Sequence, residues 1–97
     1  MQLSVVIPLY NEEESIPALV EALEKTLPAD AECVFVDDGS KDRTVAELRR
    51  RLKPHWQLLV FRRNYGQTSA IAAGIAAAQG DYIATMDGDL QNDPADI

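Results

Sequence analysis

The 97-residue sequence predicts an α/β fold of three layers, α/β/α, built on a doubly wound and mostly parallel sheet. The first observation is the order of its segments, in which strand-like and helix-like stretches alternate as β-α-β-α-β-α-β. The second is that the connections are short, which favours right-handed crossovers. The third is that the second strand is a continuous apolar run, as in strands covered on both faces. Together they describe a Rossmann-like sheet of four strands.

The first half of the chain supplies two strands and one helix. Residues 3–7 are a β-branched run closed by Pro8, and residues 32–36 form the second strand. Between them, apolar residues recur at helical spacing. We expect Ser15 to cap this helix and Pro17 to be tolerated in its first turn. The apolar stripe of this helix is Ile16, Leu19, Val20, Leu23 and Leu27.

The second half continues the alternation. Val45, Leu48 and Leu52 mark the stripe of the second helix, and residues 56–61 form the third strand. A loop at 62–66 leads into a third helix, about 67–79, made mostly of Ala, Ile and Gly. A glycine inside this helix, Gly74, costs about 1 kcal/mol of helix propensity against Ala. We therefore expect this helix to approach the sheet closely, and strand 4 to run over residues 81–86 after Gly80.

Composition excludes several classes of function. With 46% hydrophobic and 26% charged residues the chain is globular, and its net charge of −7 disfavours binding to nucleic acid or anionic lipid. The single cysteine, Cys33, excludes an internal disulfide and is expected to be a buried strand thiol. Its longest apolar run, nine residues from Ala70, is too short to span a bilayer. We expect a soluble chain in a cytoplasmic setting.

The end of the sequence raises a question of domain extent. If the strand order is 3-2-1-4, as at the start of many such folds, strand 4 is an edge. An apolar edge strand invites aggregation. We therefore expect residues 1–97 to be the N-terminal part of a longer domain.

Polar clusters follow three of the predicted strands. In open α/β sheets, ligands bind beyond the carboxyl ends of the strands, at the point where the strand order reverses. For order 3-2-1-4 that point lies between strands 1 and 4, where residues 8–12 and 87–91 form the loops. The pair Asp37-Asp38 after strand 2 is next to them. We expect these three clusters to share one crevice.

The last cluster, "DGDLQ", has the spacing of a metal site. In an extended chain, residues two apart point the same way, so Asp87 and Asp89 can present carboxylates to one hard cation. Gln91 continues the spacing and adds an amide oxygen. Such oxygens suit Mg²⁺ or Mn²⁺. Asp93 is expected to lie outside the site and to cap a following helix at Pro94.

The Asp37-Asp38 pair is followed by Gly39-Ser40, which is ordinary turn chemistry. Two adjacent carboxylates repel each other, so we expect one of them to have another partner. The glycine-rich phosphate loops GxxxxGK[ST] and GxGxxG are missing from the sequence. A bound diphosphate would therefore need a metal ion to offset its charge.

These clusters, in this order, resemble the start of family-two glycosyltransferases with the GT-A nucleotide-sugar fold. The matching segments are "VVIPLYNEEESI", "VFVDDGSKDRT" and "RRNYGQTSAIAAGIAAAQGDYIATMDGDLQNDP". The last two look most like the polyprenyl-phosphate branch, which includes dolichyl-phosphate mannose synthases and bactoprenol glucosyl- and aminoarabinosyltransferases.

The resemblance implies roles for individual residues. Glu12 would accept a hydrogen bond from a ribose hydroxyl. Val36 and Asp38 would flank the base, where a carboxylate suits the ring N–H of uracil or guanine, and Asn64 and Gly66 would shape the pocket floor. The implied nucleotide-sugar site comprises Pro8, Tyr10, Asn11, Glu12, Val36, Asp38, Asn64, Gly66, Asp87, Gly88 and Asp89. The implied ligands of Mg²⁺ or Mn²⁺ are Asp87, Asp89 and Gln91.

The reaction implied by the resemblance is inverting transfer of a sugar from a UDP- or GDP-sugar to a polyprenyl phosphate. It would take place at the cytoplasmic face of a membrane, in cell-envelope glycan synthesis. An acceptor phosphate with a second pKa of about 6 is largely ionised at neutral pH and has little need of a strong base. The acceptor site and any base are expected beyond Ile97.

Two alternatives stay open at this point. One is a phosphoryl-transfer protein, since dehalogenase-type phosphatases and receiver domains also place acidic residues at strand ends. The first carry them after strand 1, not strand 4, and the second use a lysine on a later strand. The other alternative is a truncated, inactive module that binds nucleotide weakly or associates through its exposed edge.

Overall fold

The structure is a computed structural model that describes residues 2–87. Its seven elements alternate as predicted, and all pairings in its sheet are parallel. The strand order is β3-β2-β1-β4, which confirms the expected order. The elements are β1 (Leu3–Leu9), α1 (Ile16–Thr26), β2 (Glu32–Asp37), α2 (Thr44–Arg49), β3 (Gln57–Val60), α3 (Gln67–Ala77) and β4 (Tyr82–Thr85).

The sheet separates two apolar cores because successive residues of a strand point to opposite faces. On one face, alternate residues of β1 and β2 pack with α1, Leu48 and Trp56. On the other face, Val6, Val34 and Val36 pack with Ala70 of α3. Cys33 lies in the first core, which confirms the buried thiol, and burial raises the pKa of that thiol to about 12.

Helix α3 lies directly on the sheet, as its small residues predict. A Cβ atom at Gly74 would stand 2.3 Å from Val6 Cγ1 and 3.2 Å from Val36 Cγ2. A larger residue at this position would therefore clash with Val6 of β1 and press against Val36 of β2. The close approach brings the start of α3 to the carboxyl ends of β1 and β2, where the polar clusters lie.

Two local predictions about the helices need correction. Helix α2 ends at Arg49, before Leu52, because the Arg51 N–H bonds to the Leu48 carbonyl three residues back and closes the helix. Leu52 nevertheless packs against the first core. Ser15 occupies the N-cap position of α1 but makes no capping hydrogen bond with its side chain. Its backbone is helical, φ −86° and ψ −18°, whereas a capping side chain needs extended geometry.

Strand β4 is an edge of the sheet in the described residues, as expected, and it pairs with β1. Tyr82 and Ile83 are 55% and 44% exposed. Within residues 2–87, the helices are all too short or too polar to cross a membrane.

Candidate functional site

The strand register aligns the predicted polar clusters at one edge of the sheet. Pro8 is paired with Val36, and two residues earlier Val6 is paired with Thr85. The Met86 N–H continues this pairing by donating to the Val6 carbonyl. Asp87 therefore lies level with Pro8, at the point where β1 and β4 diverge.

Alternation along the strands places four predicted site residues on the face covered by α3. Val36 belongs to the core on that face, so Pro8 beside it and Asp38 two residues later share this orientation. Met86 belongs to the opposite core, which turns Asp87 toward α3. A hydrogen bond of 3.4 Å from Gln67 Nε2 to Asp87 Oδ1 agrees with this placement.

Asp38 is the anchor of the loop that precedes α3. Its carboxylate Oδ1 accepts from the Tyr65 N–H at 2.7 Å, and Oδ2 accepts from Asn64 Nδ2 and the Gly66 N–H, each at 3.0 Å. Asp38 is 4% exposed. These contacts supply the second partner that the adjacent carboxylates of Asp37 and Asp38 led us to expect.

Two glycines make this arrangement possible. Gly39 has φ +77°, and a Cβ there would stand 2.3 Å from the Arg63 carbonyl carbon, so the two loops are in backbone contact. Gly66 has φ +104°, a left-handed region that favours glycine, although a Cβ there would meet nothing within 4 Å. The requirement for Gly66 is thus one of backbone conformation rather than space.

At the same edge of the sheet, the loop after β1 is hydrogen-bonded to the loop after β2. Asn11, at φ 52°, donates its N–H to Ser40 Oγ at 2.8 Å and accepts from the Lys41 N–H at 2.9 Å. Ser40 in turn donates its hydroxyl to Asp37 Oδ1 at 2.5 Å and its N–H to Oδ2 at 2.9 Å. The Glu12 N–H donates to Thr44 Oγ1 at 2.8 Å. The predicted residues Asn11 and Glu12 are therefore held by the loop after β2 and by the first residue of α2.

An acidic depression of about 270 Å³ lies beside this loop, lined by Asn11, Glu12, Glu13, Glu14, Ser15 and Asp42. Burial raises the pKa of Asp42, but hydrogen bonds from the Thr44 hydroxyl and N–H and from the Glu13 N–H outweigh it, so the pKa lies below its usual value. Asp42 is thus an ionised acceptor for the backbone of both loops.

The other predicted site residues are distributed as follows. Tyr10, at the end of β1, is 41% exposed, and Asn64 is exposed on the loop before α3. Gly88, Asp89, Gln91 and Asp93 lie outside the described residues. Sequence reasoning missed Ser40, Thr44 and Gln67, because their roles depend on loops distant in sequence and no spacing pattern marks them.

Of the three predicted metal ligands, Asp87 is the one that lies within the described residues. Its carboxylate oxygen is the donor type that Mg²⁺ and Mn²⁺ prefer, and it stands at the carboxyl edge beside the predicted nucleotide residues. Within residues 2–87, His, Cys, Asp and Glu side chains form no group of three or more that could hold a metal ion. The metal site therefore stays a prediction that depends on Asp89 and Gln91.

Comparison with known families decides the class of this protein. The family model described as Glycosyl transferase family 2 matches residues 4–97. This chain belongs to glycosyltransferase family 2. Membership confirms the resemblance seen in the motifs and sets aside the phosphoryl-transfer alternative, so the chain is assigned to the glycosyltransferases by resemblance.

Two relatives of this family-2 chain carry polyprenyl phosphates in their names. Dodecaprenyl-phosphate galacturonate synthase of Rhizobium johnstonii is 45% identical over 100% of this chain and 30% of its own length. Undecaprenyl-phosphate 4-deoxy-4-formamido-L-arabinose transferase of Photorhabdus laumondii is 45% identical over 99% of this chain and 31% of its own. The family-2 chain thus spans about a third of the length of these relatives.

Solved structures confirm the GT-A fold of this family-2 chain. S. aureus TarS 1-349 aligns with a TM-score of 0.77 and 30% identity, covering 92% of this chain and 28% of TarS. The mannosyltransferase PcManGT from Pyrobaculum calidifontis, in complex with GDP-Man and Mn²⁺, aligns with a TM-score of 0.81 and 25% identity. That alignment covers 90% of this chain and 27% of PcManGT.

Proposed function

We propose that residues 1–97 form the donor-binding part of an inverting glycosyltransferase that moves a sugar from a UDP- or GDP-sugar to a polyprenyl phosphate with the help of Mg²⁺ or Mn²⁺. The observation that carries the proposal is the convergence of Pro8, Val36, Asp38 and Asp87 on one face of the carboxyl edge. In open α/β sheets this is where ligands bind.

The comparisons support the choice of substrates. The relatives named above are sugar transferases or synthases named for dodecaprenyl and undecaprenyl phosphate. TarS was solved in complex with UDP, and PcManGT with GDP-Man and Mn²⁺. For this chain, the same chemistry would place a nucleoside diphosphate and a divalent cation at the edge that carries Asp87.

The proposed donor site has a nucleoside end and a diphosphate end. At the nucleoside end, Val36 and Asp38 flank the base and Glu12 accepts from a ribose hydroxyl. Pro8, Tyr10, Asn11, Asn64 and Gly66 complete the walls of that end. At the diphosphate end, Asp87, Gly88 and Asp89 would contact the donor, and Asp87, Asp89 and Gln91 would hold the cation.

The chemistry divides between the cation and the protein. A bound Mg²⁺ or Mn²⁺ would stabilise the charge that develops on the leaving diphosphate. The residues of this chain orient the donor, and the Asp38-anchored loop keeps the nucleoside end in place. An acceptor phosphate with a second pKa of about 6 attacks in its ionised form, so it requires little help from a base. The proposed location is the cytoplasmic face of the membrane, where polyprenyl phosphate would meet nucleotide sugars.

Calorimetry on this chain with UDP and GDP, each with and without Mn²⁺, tests the proposal. We expect one of the two to bind, and EDTA to weaken that binding by at least about tenfold, as for loss of one strong ionic contact. Asp87→Ala and Asp89→Ala should remove the metal dependence. Asp30→Asn, which alters an exposed carboxylate at the other end of the sheet, is the matched control and should bind like the original chain. A folded chain that binds neither nucleotide would contradict the proposal.

A further inference from the structure

We propose that the Asn64–Gly66 loop determines which base the site accepts, and that it does so by orienting the carboxylate of Asp38. The loop holds the Asp38 carboxylate in one orientation and leaves one of its acceptor positions for the base. This inference rests on the proposed nucleotide function and adds to it a residue-level origin of selectivity. Asn64 and Gly66 are thereby positioning residues rather than parts of the pocket floor alone.

The hydrogen bonds of Asp38 carry the argument. A carboxylate has about four acceptor positions, two on each oxygen. Oδ2 receives two donors, from Asn64 Nδ2 and the Gly66 N–H, and Oδ1 receives one, from the Tyr65 N–H. Among the contacts of residues 2–87, this leaves one acceptor position unused, on Oδ1. Asp38 is 4% exposed, and any other orientation of its side chain would break these three hydrogen bonds.

The loop is itself fixed from both sides. Arg63 Nε donates to the Tyr65 hydroxyl at 3.1 Å, and the Tyr65 ring meets Phe61 edge-on with 5.6 Å between centroids. On the other side, the backbone of Arg63 packs against Gly39. Asn64 Nδ2 also reaches the Asp38 carbonyl at 3.3 Å. These contacts hold the loop, and the three donors of the loop in turn hold the Asp38 carboxylate.

The chemistry of the free position defines the ligand. Uracil and guanine present a ring N–H on their pairing edge, which a carboxylate oxygen accepts. Cytosine and adenine present a ring nitrogen lone pair there, which the same oxygen repels. The comparison of UDP with CDP, and of GDP with ADP, therefore measures the orientation of Asp38 while the diphosphate stays the same.

The experiment compares nucleotide affinities of variants in which Asp38 is intact. Gly66→Ala strains the loop without a clash, and Asn64→Ala removes one of the three donors to the carboxylate. We expect each variant to reduce the preference for UDP over CDP, or for GDP over ADP. Gly66→Ala should reduce it about tenfold, which is the effect expected when the base loses its charge-assisted hydrogen bond to Asp38. Thr68→Ala, at an exposed position in the first turn of α3, is the control and should keep the original preference.

Each other outcome has a distinct meaning. If both variants weaken UDP and CDP by the same factor, the loop is only structural and the inference is overturned. An unchanged preference in Asn64→Ala overturns it as well, even if Gly66→Ala does not fold. An original chain that binds UDP or GDP without preference over its partner also overturns it. An original chain that binds no nucleotide contradicts the proposed function itself, and is recognised before any variant is measured.

Discussion

Two buried carboxylates at opposite ends of β2 can be compared directly by the hydrogen-bond donors that surround them. Glu32 begins the strand and Asp38 follows its end, and each is 4% exposed. Each accepts three donors. For Glu32 these are Ser4 Oγ at 2.8 Å, the Gln79 N–H at 2.9 Å and Gln57 Nε2 at 2.8 Å.

The difference between them is the origin of the donors. Those of Glu32 come from β1, from β3 and from the turn after α3, so this carboxylate ties three parts of the fold together. Those of Asp38 come from a single loop at the carboxyl edge. The same chemistry therefore serves stability at the amino end of the sheet and site geometry at the end where ligands bind.

The largest effect is expected from Glu32→Ala. It leaves three donors around a buried site without an acceptor, and we expect a loss of about 3 kcal/mol in the free energy of unfolding. Urea unfolding followed by circular dichroism measures this. The preference for UDP over CDP, or for GDP over ADP, should stay unchanged in the folded fraction. A Glu32→Ala chain of normal stability would remove the basis of the comparison.

A pair of glycine substitutions gives the next effect. A Cβ at Gly80 would stand 2.6 Å from Ser4 Oγ and 2.8 Å from the Gln2 carbonyl oxygen, beside the Glu32 cluster. We expect Gly80→Ala to lower the free energy of unfolding by about 2 kcal/mol through overpacking. Gly66→Ala meets open space and should lower it less, by about 1 kcal/mol of backbone strain. The reverse order in thermal or urea unfolding would contradict this account of the two ends.

Acid pH should weaken the Glu32 cluster, which consists of Glu32 and its donors Ser4, Gln57 and Gln79. Burial raises the pKa of Glu32, but the hydrogen bonds from Gln79, Gln57 and Ser4 outweigh it and hold the pKa below its usual value. The resulting stability is present above the unfolded pKa, about 4.3, and is lost as the pH falls through the lower folded pKa. The stability advantage over Glu32→Gln should therefore shrink below about pH 4, as urea titrations at several pH values will measure. An advantage independent of pH would show that ionised Glu32 is not required.

The smallest effect is expected at the loop after β1. Ser40→Ala removes the acceptor of the Asn11 N–H and a donor to Asp37. We expect about a threefold loss of affinity, since the site feels the change only through the Asn11–Ser40 hydrogen bond, which is neutral and contributes about 1 kcal/mol or less. The two nucleotides of the pair that is tested, UDP and CDP or GDP and ADP, should be affected equally in calorimetry. A change in their ratio would show that selectivity does not reside in the Asp38 loop alone.

Much of the fold could be predicted from local patterns. The alternation of strands and helices, the order 3-2-1-4 and the close approach at Gly74 follow from apolar periodicity and small residues, and the structure confirms them. The end of α2 before Leu52 does not follow, because a hydrogen bond from Arg51 to Leu48 decides it.

The candidate site could be predicted in part. The position of Asp87 opposite Pro8 follows from strand order. The loop partners of Asp38 and the Glu32 cluster do not, because they join residues more than 20 positions apart through side-chain contacts. Glu32 itself reads in the sequence as an ordinary strand residue, and only packing reveals its donors.

The central claim is that the carboxyl edge of the sheet, and not its amino end, binds a nucleotide. Amide chemical shifts of the labelled chain, titrated with UDP or GDP and Mg²⁺, test it most directly. We predict shifts at Val36, Asn64, Gly66 and Asp87, with the amides of Glu32 and Gln79 unchanged. Shifts centred on Glu32 and Gln79, or no shifts at saturating concentrations of either nucleotide, would contradict it.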